Sequence, residues 1–449
     1  MTLVFDNERG GIGGTGTRMV GLTRWHALLL AAALLLCIDG GAAAELAELP
    51  ADPVVHQALE QHPMVRAARA GLDVGAARRD QLAAGIHEFE VTVGGARRRE
   101  TATGVSLNEK EFGLQRAIRL PNKGSTDEKL GEEVMNHAES SYGDALHETG
   151  RLLLASWFAA KREALAVATG DALVKTWEEQ VRVTRRRVEK GDAAALDQAL
   201  SEAQLAQAEA QWAAAGNRLR NANDTLRQHF PLLPLPTAAA LPEPPLPEED
   251  AEKWLDLIRQ HNHELAVARS EARQGRIVAE RADQDRVPDP KLGLRWASER
   301  DGQEKLLGLQ LTIPLPGSGR AAVSRGASAE AAAADAREAA VLAKVEAEAR
   351  RTLLQVGSSY RQWRSLEDVA QRMQANAALL DKAWRLGEGT LNDLINARRL
   401  AGEASLAAAQ ARADAHEAHY RLRLDAHVFW AFDSDHEDVH DVSRPAPNP

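Results

Sequence analysis

The chain has 449 residues and carries 55 Lys and Arg against 65 Asp and Glu, a formal net charge of −10, which argues against a nucleic-acid partner. Aromatic residues are only 4 % of the total, too few for a string of independent compact cores, while alanine and charged side chains dominate as they do in long helices. Length alone suggests about three domains, but an internal repeat gives a different division.

Residues 1–44 read as a targeting segment: Arg24 precedes an apolar run from Ala27 to Ile38, and Ala42, Ala43 and Ala44 supply a small-residue cleavage site before Glu45. The run is short for a membrane-crossing helix, and Met19 leaves 1–18 as a candidate over-called start. Gly11-Ile12-Gly13-Gly14-Thr15-Gly16 matches a dinucleotide fingerprint by letter but follows no strand pattern, so it reads as coincidence. Cys37 is the only cysteine and would leave with this segment, so cysteine usage says nothing about redox compartment. Leu36 stands before it where a lipid-attachment site wants a small residue.

A first helical pattern runs from Pro53 to about Gly85 through Val55, Leu59, Val65, Ala68, Leu72 and Ala76, and a second from Trp254 to about Asp285. Gln61-His62-Pro63 and His261-Asn262-His263 stand at equivalent points of the two. Neither has a carboxylate or second histidine at fixed helical spacing in both copies, so surface turns are expected rather than a metal site.

Strand pairs follow, at about 88–120 and 290–316. Phe89-Glu90-Val91-Thr92-Val93 and Leu292-Gly293-Leu294-Arg295-Trp296 alternate apolar and polar residues. The second member of each pair carries G-L-Q-x-x-I-x-L-P-x-x-G, once from Gly113 to Gly124 and again from Gly308 to Gly319, 195 residues on. Gly191-Asp192 and Gly387-Glu388 recur at an offset of 196. The chain is therefore a tandem duplication, with halves at 45–230 and 251–432. Pro121 and Pro316 end the strands because proline donates no ladder hydrogen bond. Four strands cannot close a barrel, and an open sheet leaves its edges unpaired; several chains would have to pool their hairpins. The alternative is two small hairpins on a helical soluble protein.

Each strand pair leads into a very long helix, about Ser125 to Lys190 and about Ala321 to Leu386. In the second, Leu342, Val345, Ala349, Thr352, Val356, Ser359, Trp363, Leu366, Ala370, Met373, Ala377, Leu380 and Trp384 alternate three- and four-residue steps, a heptad pattern that predicts a left-handed supercoil about 100 Å long. Each breaks at its glycine and returns with an alanine seam, Leu196, Ala199, Ala203, Ala206, Ala210 and Ala213 in the first half and Leu394 through Ala418 to Leu422 in the second. Residues 231–250 hold seven prolines between Pro231 and Pro247 and read as a stiff connector. The acidic tail, 433–449, reads as a disordered solvated end; His436 and His440, four apart, leave a weak metal-collecting role as the alternative.

This layout resembles the TolC family of outer-membrane efflux proteins over about Val54 to Phe432. The paired strand motif carries the resemblance, together with the tip Arg385-Leu386-Gly387-Glu388-Gly389-Thr390-Leu391-Asn392-Asp393-Leu394-Ile395-Asn396-Ala397-Arg398. Ile118 to Gly124 looks most like the CzcC-type members that serve heavy-metal exporters. The resemblance implies a mainly α fold with a small β part, in which four strands per chain build a trimeric twelve-stranded outer-membrane barrel over a periplasmic helical tunnel. It implies that Gly191, Asp192, Gly387, Glu388, Gly389 and Thr390 are tips that dock a periplasmic adaptor (membrane fusion) protein, itself serving an inner-membrane pump of the RND type. Asp393 matches the acid of the tunnel constriction. Asn396 stands where a second acid is common, and Gly389 offers that ring no basic partner. The function implied is a passive export conduit, with metal cations as cargo; the alternative is a periplasmic coiled-coil adaptor, against which the duplicated helices argue. No Ser/His/Asp grouping, phosphate loop or metal-ligand cluster is present, so neither catalytic residues nor a cofactor are expected.

Overall fold

A computed structural model describes residues 48–247 and 250–430. The targeting segment with Cys37 and the glycine-rich Gly11–Gly16 stretch, and the acidic tail with His436 and His440, lie outside the described residues. All the elements belong to the unit that begins at Asp52.

The two halves match in every α-helix and strand, and the second adds a 3-10 turn, Arg300–Gly302, between its strands. The first comprises α1 (Asp52–Gln61), α2 (Pro63–Ala84), β1 (Phe89–Arg99), β2 (Ser106–Ala117), α3 (Pro121–Glu189) and α4 (Ala195–His229). The second comprises α5 (Ala251–His261), α6 (His263–Gln284), β3 (Lys291–Glu299), β4 (Glu304–Thr312), α7 (Ser318–Leu386) and α8 (Leu391–Asp425). Both long helices have 69 residues and both return helices have 35. At 1.5 Å per residue the long pair run about 100 Å.

Each of the two leading patterns, expected as one helix, is a pair. Pro63 and His263 are the first residues of the second members. Pro63 has no N–H to give back to α1, and His62 takes the N-cap, its Nδ1 accepting from the Met64 N–H at 3.4 Å. Asn262 caps α6 in the same way, accepting from the Leu265 N–H at 2.8 Å. Nor are these surface turns: His62 is buried and stacks on Phe230 with ring centroids 5.5 Å apart. Burial, and then the charge on nearby His229, push its imidazole below the ordinary value.

The heptad reading of α7 describes its packing. Ala349, Val356, Trp363, Ala370, Ala377 and Trp384, spaced by sevens, are all buried. Trp363 fills the hollow left by Ala411 and Ala415 of α8, which shows why an alanine seam faces a helix bearing tryptophan. The α8 seam is buried or half-buried throughout. The α4 seam is not: Leu196, Ala199, Ala203, Ala206, Ala210 and Ala213 are exposed, and α4 instead buries Ser201, Ala208 and Ala215. Alanine spacing marks a smooth face but not the partner that covers it.

The proline-rich connector is laid onto the helices. Lys161 of α3 donates to the carbonyls of Thr237 and Ala239, both at 3.0 Å, and Arg412 of α8 to that of Leu241 at 3.0 Å. Phe230, Leu233 and Leu241 are buried beside these anchors, so the segment is held by its environment as well as by its prolines.

The strands form one antiparallel sheet in the order β1-β2-β3-β4. Its central pairing joins the halves, with Lys110 to Ala117 opposite Ser298 to Lys291. Cross-strand partners share a face, so the register sorts the side chains. One face carries Val91, Val93, Phe112, Leu114, Leu292, Leu294, Trp296, Leu307, Leu309 and Leu311. All are exposed, Leu309 at 82 % and Val93 at 77 %. The opposite face carries ion pairs, among them Lys291 with Glu90 at 2.9 Å and Arg295 with Glu111 at 2.8 Å. Three successive rows of large apolar side chains left exposed across four strands make a patch that a water-soluble monomer rarely shows.

Candidate functional site

At the end of the helical hairpins remote from the sheet, α3 turns into α4 and α7 into α8. Gly191 has φ +79° and Gly387 φ +82°, values that glycine accepts without the Cβ clash other residues meet. The Gly191 N–H reaches the Val188 carbonyl at 2.9 Å and the Asp192 N–H the Arg187 carbonyl at 2.8 Å. At the second tip Gly387 donates to Trp384 at 3.1 Å and Glu388 to Ala383 at 2.9 Å. Both are Schellman endings, in which glycine reverses the chain while the last carbonyls keep partners. The duplication has preserved a backbone motif as well as a pair of letters.

Gly191, Asp192, Gly387, Glu388 and Thr390 are exposed, and Gly389 is half-buried. Thr390 caps α8: its Oγ1 accepts from the Asp393 N–H at 3.2 Å and donates to Asp393 Oδ2 at 2.6 Å. Asp393 and Asn396 lie one turn apart, both exposed, while Leu394 and Ile395 are buried. In the first half the 196 offset places Ala194 at the cap, without a side-chain bond, and Asp197 in the first turn. Asp197 is thus the internal counterpart of Asp393, at the same 196-residue offset.

The tips rest on an apolar cluster in which Val174 and Trp177 of α3 and Ala208 of α4 meet Trp384 of α7 and Leu391, Leu394 and Ile395 of α8. Arg187 of α3 lies over the Trp384 ring, 4.8 Å from its centroid. Beside it Arg398 of α8 donates to Asp381 of α7 at 2.6 Å and to Gln180 of α3 at 2.7 Å, while Arg385 holds the other Asp381 oxygen at 2.7 Å. Gln180 passes the chain to Thr184 at 3.1 Å, and Thr184 meets Ser201 of α4 at 3.3 Å. Burial pushes the Arg398 guanidinium below its ordinary value although Asp381 acts in the other direction. This hub joins all four helices of the tip. Nothing in the sequence spacing shows that Gln180 comes within reach of Arg398, 218 residues away.

His261 and His263 do not lie in a free turn either. They gather with His147 and His427, ring centroids 4.9 to 6.3 Å apart, with His427 stacked on both His147 and His261. Among the described residues no group of three or more His, Cys, Asp or Glu is arranged to hold a metal ion, and no helix is long and apolar enough to cross a membrane.

No protein family and no curated protein matches the sequence. Solved structures do match. The CmeC outer-membrane channel of Campylobacter jejuni aligns over 86 % of this chain and 87 % of its own with a TM-score of 0.71 at 16 % identity. The outer-membrane protein VceC of Vibrio cholerae aligns over 83 % and 95 % with a TM-score of 0.69 at 14 % identity. The open-state MtrE outer-membrane channel of Neisseria gonorrhoeae aligns over 84 % and 88 % with a TM-score of 0.61 at 16 % identity. The chain thus has the fold of the TolC-like outer-membrane channels.

Proposed function

We propose that the protein belongs to the TolC family and is the outer-membrane channel of a tripartite efflux system, a passive conduit rather than an enzyme. The apolar sheet face carries this reading. It spans all four strands, is exposed in every apolar row, and ends at β1 and β4 in edges that have no partner. A hydrocarbon environment suits that face, and closure into a twelve-stranded barrel by three chains suits the edges. The exposed alanine seam of α4 gives the same trimer a close-packing helical surface. Purified protein is expected to need detergent and to run as a trimer; a monomer soluble without detergent would overturn the reading and restore the adaptor alternative.

Within this reading Gly191, Asp192, Gly387, Glu388, Gly389 and Thr390 form the surface that meets a periplasmic adaptor, which couples the channel to an inner-membrane pump of the RND type. Gly191→Val and Gly387→Val force a β-branched residue into positive φ. They are expected to leave the trimer assembled and reduce export severely, measured as substrate accumulation in cells. Normal export from both variants would remove the docking role.

The cargo we propose is metal cations, in keeping with the CzcC-like strand ending and with Asp393 exposed beside the second tip. Three Asp393 carboxylates around a threefold axis would concentrate cations at the constriction, and Asn396 lowers the charge of that ring. Deleting the gene should lower tolerance to divalent metals with little change toward hydrophobic drugs. The opposite result would keep the conduit and replace the cargo.

A further inference from the structure

Beyond its apolar rows the outward face of the sheet carries a charged feature. We propose that Arg97, Arg99, Lys110 and Lys305 form a site for the phosphorylated headgroup of an outer-leaflet glycolipid. The proposal rests on the outer-membrane reading above.

The strand register places these residues. Val93, Phe112, Trp296 and Leu307 form one cross-strand row on the outward face. The next row, farther from the helices, is Gly95, Lys110, Ser298 and Lys305. Arg97 with Asn108 and then Arg99 with Ser106 continue the same face. All four basic side chains are exposed, and the acid that reaches these rows, Asp301, is taken up by Asn108, whose N–H and side-chain amide donate to its Oδ1 at 2.8 and 3.1 Å.

Pairing separates this cluster from the basic residues on the other face. Arg98 meets Glu109 at 2.7 Å and Arg295 meets Glu111 at 2.8 Å; Arg300, at the β3–β4 turn, meets Glu100 at 2.9 Å. Among the described residues no carboxylate pairs with Arg97, Arg99, Lys110 or Lys305. Four like charges held together with no acid paired to any of them repel one another, and an anionic partner offsets that repulsion.

Depth decides what the partner is. The row just inside the cations contains Phe112 and Trp296, 45 % and 39 % exposed, the aromatic type that settles at a membrane–water interface. The cations therefore stand at headgroup level, on the side remote from the periplasmic helices. Lys110 and Lys305 flank Ser298 two strand spacings apart, about 10 Å, and Arg97 is the diagonal neighbour of Lys110. Arginine forks fit phosphate oxygens in pairs. A zwitterionic headgroup brings its own ammonium and fits such a cluster poorly.

The test uses the detergent-purified full chain and a bisphosphorylated disaccharide glycolipid, intact or enzymatically dephosphorylated, with binding followed by native mass spectrometry. The native protein is expected to bind the phosphorylated form at least tenfold more tightly, and less tightly as salt rises. The quadruple variant Arg97→Gln, Arg99→Gln, Lys110→Gln, Lys305→Gln should lose that preference, whereas Arg98→Gln on the inward face should keep it. If the quadruple variant does not assemble, the pair Lys110→Gln, Lys305→Gln gives the same readout. Equal binding of the two glycolipid forms by the native protein, or an unchanged preference in the outward variants, overturns the site while leaving the channel reading intact. A native protein that is soluble without detergent and enters no bilayer overturns both.

Discussion

Arginine at position 311 should prevent the trimer from accumulating in the outer membrane. Leu311 is 62 % exposed on β4, on the same face as Leu307 and Leu309, and pairs across the ladder with Leu292. From Leu307 to Leu311 the outward side chains occupy about 14 Å along the strand, and Leu311 stands in the row nearest the helices, where Arg116 lies beside Phe89 and Leu292. A second guanidinium in that row must leave water for hydrocarbon or distort the bilayer around it, a penalty that reaches about 2–4 kcal/mol in each chain at the midplane and shrinks toward the interface. Three symmetric copies multiply the effect on assembly. Gln310→Arg provides the contrast, because Gln310 faces the other way, opposite Gly293. The amount of heat-dissociable trimer in outer-membrane fractions should fall sharply for Leu311→Arg and stay near native for Gln310→Arg. Equal yields would mean that the sheet faces have been assigned the wrong way round.

Features with a period or a repeat were legible in the sequence; features that depend on a distant neighbour were not. The strand faces follow from alternation, and the buried line Ala349–Trp384 follows from a seven-residue spacing. The tips followed from glycines at a constant offset, because only a left-handed residue reverses the chain there. By contrast, α4 and α8 show the same alanine periodicity, yet only α8 buries its seam within the chain. The difference lies in what each helix meets. His62 and Asn262 were read as turns because caps and loops use the same residues; burial and the Met64 and Leu265 N–H groups distinguish the two. Arg398 and Lys123 were passed over for a related reason. Their importance comes from partners in other helices or in the other half of the chain, and no local window contains them.

Lys123→Ala should be the most destabilising single substitution at the junction between sheet and helices. Lys123 stands in the first turn of α3 and is 1 % exposed. Its Nζ meets Asp289 at 2.9 Å and Asp285 at 3.0 Å and donates to the Val287 carbonyl at 2.8 Å, all in the second half of the chain. His87 holds the other Asp289 oxygen at 2.8 Å, and the Leu120 N–H donates to Asp289 at 3.3 Å. Alongside, Arg119 spans the last carbonyls of α2 at Leu82 and Ala83, both at 2.8 Å, and Asp127 takes Arg281 at 2.7 Å. Removing the ammonium takes the cation from the buried Asp289 carboxylate, which is 9 % exposed, a change that costs about 3–5 kcal/mol for a buried pair. The double variant Lys123→Met, Asp289→Asn should recover much of this by removing a charge from each side. Burial raises the Asp289 carboxyl, but hydrogen bonds from Lys123, His87 and Leu120 outweigh it and hold the group below its ordinary value. Asp285 is held low in the same way, burial being outweighed by Arg281 and Lys123. A depressed carboxyl contributes stability that is present above the unfolded value, about pH 4, and is lost as pH falls through the folded one. Chaotrope unfolding of the detergent-solubilised trimer, followed from neutral pH to about pH 3, should show this acid-dependent loss in the native chain and much less of it in the double variant. A native-like midpoint for Lys123→Ala, or the same acid profile in the double variant, would show that the junction is held by its packing and not by this cluster of charges.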